Sequence, residues 1–207
     1  MGMLRLLVEN PVAFILIAVP LLYAIIFHEL AHGWVAYRLG DPTAKMLGRL
    51  SLNPIKHIDP IGTLMLFLFG FGWAKPVPVN FSRLKGGATG MIMVSAAGII
   101  ANMLLAFIAF LLQRLGSFAP GSLPGVMLYY MAQINIILAA FNLIPLPPLD
   151  GSKIVMGFAP PDVRNFLLRI EPYGFFIIIG LLYLGWLNPV IEFFRSAILA
   201  LINLLLP

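Results

Sequence analysis

The 207-residue sequence has no cysteine and few charged side chains, and these two shortages exclude several classes of protein. Without cysteine, a secreted scaffold held together by disulfides is excluded. Only 10% of the residues are charged and 61% are hydrophobic, so a soluble fold of this length could not cover its surface with polar side chains. The mean hydropathy of +0.99 is typical of an integral membrane protein instead.

Long apolar runs predict an all-α polytopic membrane protein with about four to five transmembrane helices. A spanning helix needs about 20 mostly apolar residues. The runs that reach or approach this length are residues 11–37, 91–112, 123–144, 173–187 and 190–206. The last of them is short enough either to span the bilayer or to lie at its interface.

The stretch between the first two runs, residues 62–80, is apolar but is expected to be broken. Glycines at positions 70 and 72 and prolines at positions 76 and 78 interrupt a helix there. We therefore expect a re-entrant loop or a strand pair that dips into the membrane against the protein. The alternation of Val77, Val79 and Phe81 indicates a strand edge that could pair with an extended polypeptide.

The net charge of +5 does not indicate a nucleic-acid partner, because the basic residues are scattered and never form a run of three. Their distribution fits the positive-inside rule, which places basic loops in the cytoplasm. Ten of the thirteen fall on one side of the expected spans: Arg38, Lys45, Arg49, Lys56, Lys75, Arg83, Lys85, Lys153, Arg164 and Arg169. We expect that side, with the ends of the first and third spans, to face the cytoplasm.

Residues 28–32 (HELAH) lie near the end of the first run and carry two of the three histidines in the chain. On a helix, His28 and His32 are one turn apart and point the same way. This spacing suits two nitrogen ligands on one zinc ion, with Glu29 placed as a general base toward water. Ionisable groups inside a membrane are costly and are usually functional, which disfavours a merely interfacial role for the three.

A catalytic zinc ion needs a third protein ligand, and the candidates in the sequence include His57, Asp59 and Asp150. Asp150 follows the third run on the expected cytoplasmic side, after prolines at positions 145, 147 and 148 that unwind the helix. His57 and Asp59 lie in a basic loop, where turn and interface roles are favoured.

These motifs together resemble the site-2 proteases, a family of intramembrane zinc metalloproteases. The resemblance is carried by residues 28–32 (HELAH) in one apolar helix and by residues 142–151 (NLIPLPPLDG) in another. Residues 48–63, 73–79 and 95–102 support it, in the family's order along the chain.

The resemblance implies that His28, His32 and Asp150 bind one Zn²⁺ per chain and that Glu29 is the general base. It also implies that Asn142 faces the active site and helps to hold the substrate backbone or the oxyanion. From the residue alone, a hydrogen bond between helices is an equally good interpretation of Asn142. Asn102, beside small residues at positions 96–98, is interpreted as part of a helix-packing motif.

The chain resembles a compact form of the family, without PDZ or CBS modules. We expect a single domain over residues 1–207, with a catalytic core at about 11–155 and C-terminal membrane segments at about 172–207. The resemblance implies transmembrane proteins or signal-peptide remnants as substrates, within the lipid bilayer of a prokaryotic plasma membrane. The competing hypothesis is a metal-binding membrane protein without protease activity, either a metal transporter or an inactive adaptor.

Overall fold

The computed structural model describes residues 3–70, 72–119 and 121–207. Those residues form helices and connecting segments, and no strand is found among them. In chain order the helices are α1 (Met3–Glu9), α2 (Pro11–Arg38), α3 (Thr43–Met46), α4 (Pro60–Phe69), α5 (Ala88–Leu115), α6 (Leu123–Asn142), α7 (Asp150–Phe158), α8 (Pro161–Ile170), α9 (Gly174–Tyr183) and α10 (Asn188–Leu205). The all-α prediction is therefore confirmed.

Five helical stretches are long and apolar enough to cross a membrane, as expected for a polytopic membrane protein. They are α2, α5, α6, the stretch Pro161–Tyr183 that joins α8 to α9, and α10. The fourth stretch begins twelve residues before the predicted start at 173, because Pro161 starts α8. Proline suits this first position, since a backbone N–H there would have no partner within the helix. The charged residues of α8 lower its hydropathy, and this hid the helix from a search for apolar runs.

Small side chains bring α2, α5 and α6 together in the centre of the molecule. Ala24 of α2, Ala106 of α5, and Ala132 and Ala139 of α6 are completely buried. Because lipid is as apolar as leucine, membrane helices gain from close van der Waals contact, which small residues permit. Helix α10 packs on the outside of this group, where Ile198 joins a cluster with α5 and α6.

Of the two forms expected for residues 62–80, the strand pair is wrong, since Pro60–Phe69 form helix α4 and no strand is found among the described residues. Asp59 caps this helix by accepting a hydrogen bond from the Gly62 amide at 2.8 Å. The helix ends at Gly70, which has a left-handed φ of 74°, so the predicted break lies where the glycines indicated. Residues 72–80 follow with neither helix nor strand. They are called the extended segment below, because Pro76 and Pro78 restrict the residue before each of them to extended backbone and Asn80 is extended.

Candidate metal centre

Helix α2 carries His28 and His32 on one face, as their four-residue spacing predicts. The two Nε2 atoms lie 3.0 Å apart, and both side chains are buried. The imidazole rings meet edge to face, with centroids 4.6 Å apart. Each ring therefore presents one nitrogen to the same point in space.

Asp150 reaches that point from a different part of the chain. Helix α6 ends at Asn142, and after a proline-rich turn Asp150 is the first residue of α7. Its Oδ2 lies 3.0 Å from Nε2 of His28 and 3.1 Å from Nε2 of His32. The turn packs tightly because Gly151 lies against it: a Cβ at this position would be 2.3 Å from the Leu143 carbonyl oxygen.

The other two candidate ligands have structural partners elsewhere. His57 is buried, and its Nε2 donates to the Ser51 carbonyl oxygen at 2.7 Å. The carboxylate of Asp59 caps α4. Of the three candidates for a third ligand, only Asp150 joins the histidines.

The hydrogen bonds around the rings determine which nitrogen carries the proton. Nδ1 of His32 faces the Val94 carbonyl oxygen at 2.7 Å, so it must donate. Nδ1 of His28 lies 2.6 Å from Oδ1 of Asn102. The Asn102 amide group donates to the Ala24 carbonyl oxygen and to Oδ1 of Asn135, so its own oxygen faces His28 and accepts. In its neutral form, each imidazole therefore turns a lone pair of Nε2 toward Asp150.

Three potential electron-pair donors that converge within about 3 Å of one another form a group that suits a metal cation. In tetrahedral zinc sites with bonds of about 2.0–2.1 Å, neighbouring ligand atoms are about 3.3 Å apart. The three separations here are 3.0, 3.0 and 3.1 Å, so small shifts would make this triangle one face of a zinc tetrahedron. Two imidazoles and one carboxylate also form a ligand set of catalytic zinc sites.

Glu29 lies beside the metal ligands but is not one of them. Its Oε2 accepts a hydrogen bond from the backbone amide of Val77 at 2.7 Å. The side chain is half-buried, and its carboxylate faces the same cavity as His28 and Asp150. A carboxylate in this position is available as a general base for water held near the metal ligands.

Asn142 lines this cavity from the last turn of α6. One of its amide hydrogens is donated to the Leu138 carbonyl oxygen of the same helix at 3.0 Å. An amide group has two donors, so a second N–H remains available. The structure thus places Asn142 toward the cavity rather than in a hydrogen bond between helices.

The cavity has a volume of about 290 Å³ and joins the metal-ligand group to the extended segment 72–80. Its apolar lining comes largely from that segment and its continuation, Pro76, Val77, Val79 and Phe81, together with Val94 and Pro148. Lys153 is the one lysine or arginine among the described lining residues. This shape suits an apolar polypeptide lying beside the segment.

The extended segment is held by polar contacts at both ends. Its Lys75 amide donates to the His57 carbonyl oxygen at 2.9 Å, and the Asn80 amide donates to Oδ2 of Asp41 at 2.6 Å. Burial raises the pKa of Asp41, but hydrogen bonds from Thr43 and Asn80 outweigh this effect and hold the pKa below its usual value. An ionised carboxylate therefore fixes the end of the segment.

Two residues that support the metal ligands were not predicted for that role. Asn102, interpreted from sequence as a packing residue, orients His28 directly. Gly98 leaves room for both rings, since a Cβ there would lie 2.5 Å from Nε2 of His32 and 2.6 Å from Cε1 of His28. An asparagine in an otherwise apolar run was the available signal, because a buried amide needs partners on other helices.

Comparison with known proteins agrees with this arrangement. Residues 122–181, which contain Asp150, match the family model described as Peptidase family M50. The chain is 40% identical over 202 residues to "Putative zinc metalloprotease YwhC" of Bacillus subtilis, with 90% of each chain covered. It is 28% identical over 180 residues to "Putative zinc metalloprotease Rip2" of Mycolicibacterium smegmatis, covering 84% of this chain and 69% of that protein. No solved structure matches the chain significantly.

The first of these relatives extends the likeness over nearly the whole chain, including residues 28–32, which lie outside the range of the family model. Its name agrees with the chemistry of the His28, His32 and Asp150 group, which fits zinc. With five helical stretches long and apolar enough to cross a membrane, the chain is an integral membrane protein. It belongs to peptidase family M50 and is a zinc metalloprotease.

Proposed function

We propose that this metalloprotease hydrolyses peptide bonds within or near the transmembrane segments of membrane-bound proteins, as site-2 proteases do. The observation that carries the proposal is the depth of the metal centre. Helix α2 rises about 1.5 Å per residue, so His28 and His32 lie about 15 and 9 Å before its charged end at Arg38. The zinc ligands thus belong to the apolar length of a spanning helix, where the peptide bonds within reach are those of membrane segments.

Each residue of the site has a separate role in the proposed hydrolysis. Zinc, when bound by His28, His32 and Asp150, supplies a Lewis acid that lowers the pKa of water and polarises a carbonyl group. Glu29 accepts the proton of the attacking water and delivers it to the departing amine. Asn142 donates its remaining N–H to the oxygen on which negative charge develops.

A helical substrate must unwind before its peptide bonds can be attacked, because a helix uses its own backbone groups. We propose that the unwound part lies against residues 75–79, on the apolar side of the cavity. Transmembrane proteins and signal-peptide remnants are both suitable substrates. The ten basic residues on the side of the α2 and α6 ends support an active site toward the cytoplasm. The resemblance to a compact form of the family supports a prokaryotic plasma membrane.

The experiment that tests the proposal compares the wild type with Glu29→Gln on a purified single-span substrate in micelles, with zinc content measured on both. We expect about one zinc per chain in both proteins and cleavage by the wild type alone. Zinc binding without cleavage of any helix in a panel would favour a transporter or an inactive adaptor. Cleavage by Glu29→Gln would overturn the assigned general base.

The distribution of ligand groups argues against the transporter. Within residues 3–70, 72–119 and 121–207, the His28, His32 and Asp150 group is the one cluster of three or more potential metal-binding side chains. A path for ions across the membrane needs polar groups at several depths. A general base beside a single metal centre is the arrangement that hydrolysis needs.

A further inference from the structure

We infer that Lys153 forms a charge-selective subsite, which binds an acidic side chain of the substrate close to the scissile bond. This inference rests on the proposed function, because it concerns the polypeptide that the same cavity receives. Lys153 lies three residues after Asp150 on α7, so the two side chains are neighbours on one face of that helix. Both line the cavity.

The ammonium group of Lys153 has no carboxylate partner among the described residues. The ion pairs there join other side chains, and Nζ of Lys153 instead lies 5.7 Å from the centroid of the Phe81 ring. A cation over an aromatic ring is held weakly, with an energy of about 0.5–1 kcal/mol at an exposed site. Phe81 thus positions the charge at the cavity wall without neutralising it.

The two carboxylates that line the cavity are already engaged. Asp150 faces the two histidines, and Glu29 accepts from the Val77 amide. When zinc is bound, its two positive charges balance the negative charges of Asp150 and Glu29. The ammonium group of Lys153 then gives the cavity one unbalanced positive charge. The half-buried ammonium is therefore the group in this cavity that a ligand of opposite charge would stabilise.

The position of the lysine determines where the acidic residue should lie. Side chains three residues apart on a helix are about 5–6 Å apart at Cβ, and an extended peptide advances about 3.3 Å per residue. An acidic side chain within about two residues of the scissile bond would thus reach Nζ. The apolar wall formed by Pro76, Val77 and Val79 accepts the remaining, hydrophobic part of the same segment.

The test separates binding from cleavage. The protein is the Glu29→Gln variant, which should bind substrate without cutting it. The ligands are single-span peptides with Asp, Asn or Lys at one position, varied from three residues before to three residues after the bond mapped with the wild type. Their Kd values are measured by fluorescence anisotropy in neutral micelles. At one position we expect Asp to bind about tenfold tighter than Asn, the usual scale of a charge-assisted hydrogen bond. Adding Lys153→Glu should reverse the order in favour of Lys.

The control variant is Lys85→Glu, which makes the same change of charge at an exposed lysine outside the cavity. It should leave the preference for Asp intact, and Lys153→Arg should retain it. When Glu29 is kept, kcat/KM for the same peptides should follow the same order as their affinities, with Asp above Asn. If the wild type cuts no substrate, the proposed function fails. The same Asp, Asn and Lys series is then placed at every position of the membrane segment of the peptide, so the Kd values still test the subsite.

Two results would overturn the inference. One is an unchanged order of Kd values in Lys153→Glu at every position, with zinc content preserved. The other is a Lys153-dependent change that appears only when anionic phospholipid is added to the micelles and does not distinguish Asp from Asn. That result would assign Lys153 to a lipid phosphate instead of the substrate.

Discussion

Glu29 and Val77 are joined by a hydrogen bond of 2.7 Å between the backbone amide of Val77 and the carboxylate of the general base. The two residues lie 48 positions apart, one on spanning helix α2 and the other on the extended segment that follows α4. Any movement of the segment therefore moves the carboxylate. The orientation of the base and the shape of the substrate cavity are coupled through this contact.

Val77→Pro should remove the amide while keeping the extended backbone, since prolines already flank the position at 76 and 78. Loss of a hydrogen bond to a charged group costs about 1.5–3 kcal/mol, so we expect kcat/KM to fall by about tenfold or more. Val77→Ala keeps the amide and serves as the comparison. Equal losses in the two variants, at equal zinc content, would show that the amide does not position Glu29.

Asn102→Ala should weaken zinc binding without removing a ligand. The substitution leaves Nδ1 of His28 without its acceptor, and outer hydrogen-bond partners of metal ligands typically contribute 10–100-fold in affinity. We expect the zinc Kd, measured by competition with a chromophoric chelator, to rise by about that factor. Asn203→Ala on the exposed surface of α10 is the matched control. An unchanged Kd in Asn102→Ala would mean that His28 keeps its orientation unaided.

Gly98→Ala should disturb both imidazoles at once. The added methyl group would overlap His28 and His32, and their Nδ1 hydrogen bonds prevent the rings from turning aside. We expect loss of stoichiometric zinc binding, measured by elemental analysis of the purified protein. Gly180→Ala on α9 is the control, because a Cβ there meets no atom within 4 Å and alanine favours a helix. A zinc-replete Gly98→Ala protein would contradict the model of a tightly enclosed site.

Much of the helical framework could be predicted because apolar length is a local property. The runs at 11–37 and 123–144 match α2 and α6 to within a few residues. The strand pair expected within residues 62–80 is wrong because the glycines and prolines that interrupt a helix, at positions 70, 72, 76 and 78, lie at or beyond the end of α4. The Asp59 cap is also visible in the sequence, and together with a ten-residue apolar stretch it favours α4.

The metal site likewise has one part that the sequence predicts and one part that it does not. The spacing of His28 and His32 is local and predicts two converging nitrogens. The convergence of Asp150 needed the proline-rich turn and the family resemblance, because a carboxylate 122 residues away has no periodic signal. The contacts of Asn102 and of the Val77 amide depend on how the helices and the extended segment are placed in space. No pattern within one segment specifies that placement.

Asp41 supplies a prediction about pH. Its pKa is lowered in the folded protein, so its stabilising effect is complete above the unfolded pKa, about 3.9, and is lost as the pH falls toward the folded pKa. Asp41→Asn has only one oxygen to accept from Asn80 and Thr43, so one donor of a partly buried hydrogen bond is left unpaired, at a cost of about 1 kcal/mol. We therefore expect a lower Tm than wild type at pH 7 and a narrowing difference at pH 3.

The matched control for that prediction is Asp162→Asn, at an exposed position on α8 without a hydrogen-bond partner among the described residues. Its Tm should follow that of the wild type at both pH values, because surface substitutions without partners usually change stability by less than about 0.5 kcal/mol. Tm is measured by the same thermal scan in micelles for all three proteins. A difference between Asp41→Asn and the wild type that stays constant from pH 7 to pH 3 would mean that the ionised form of Asp41 does not anchor the segment.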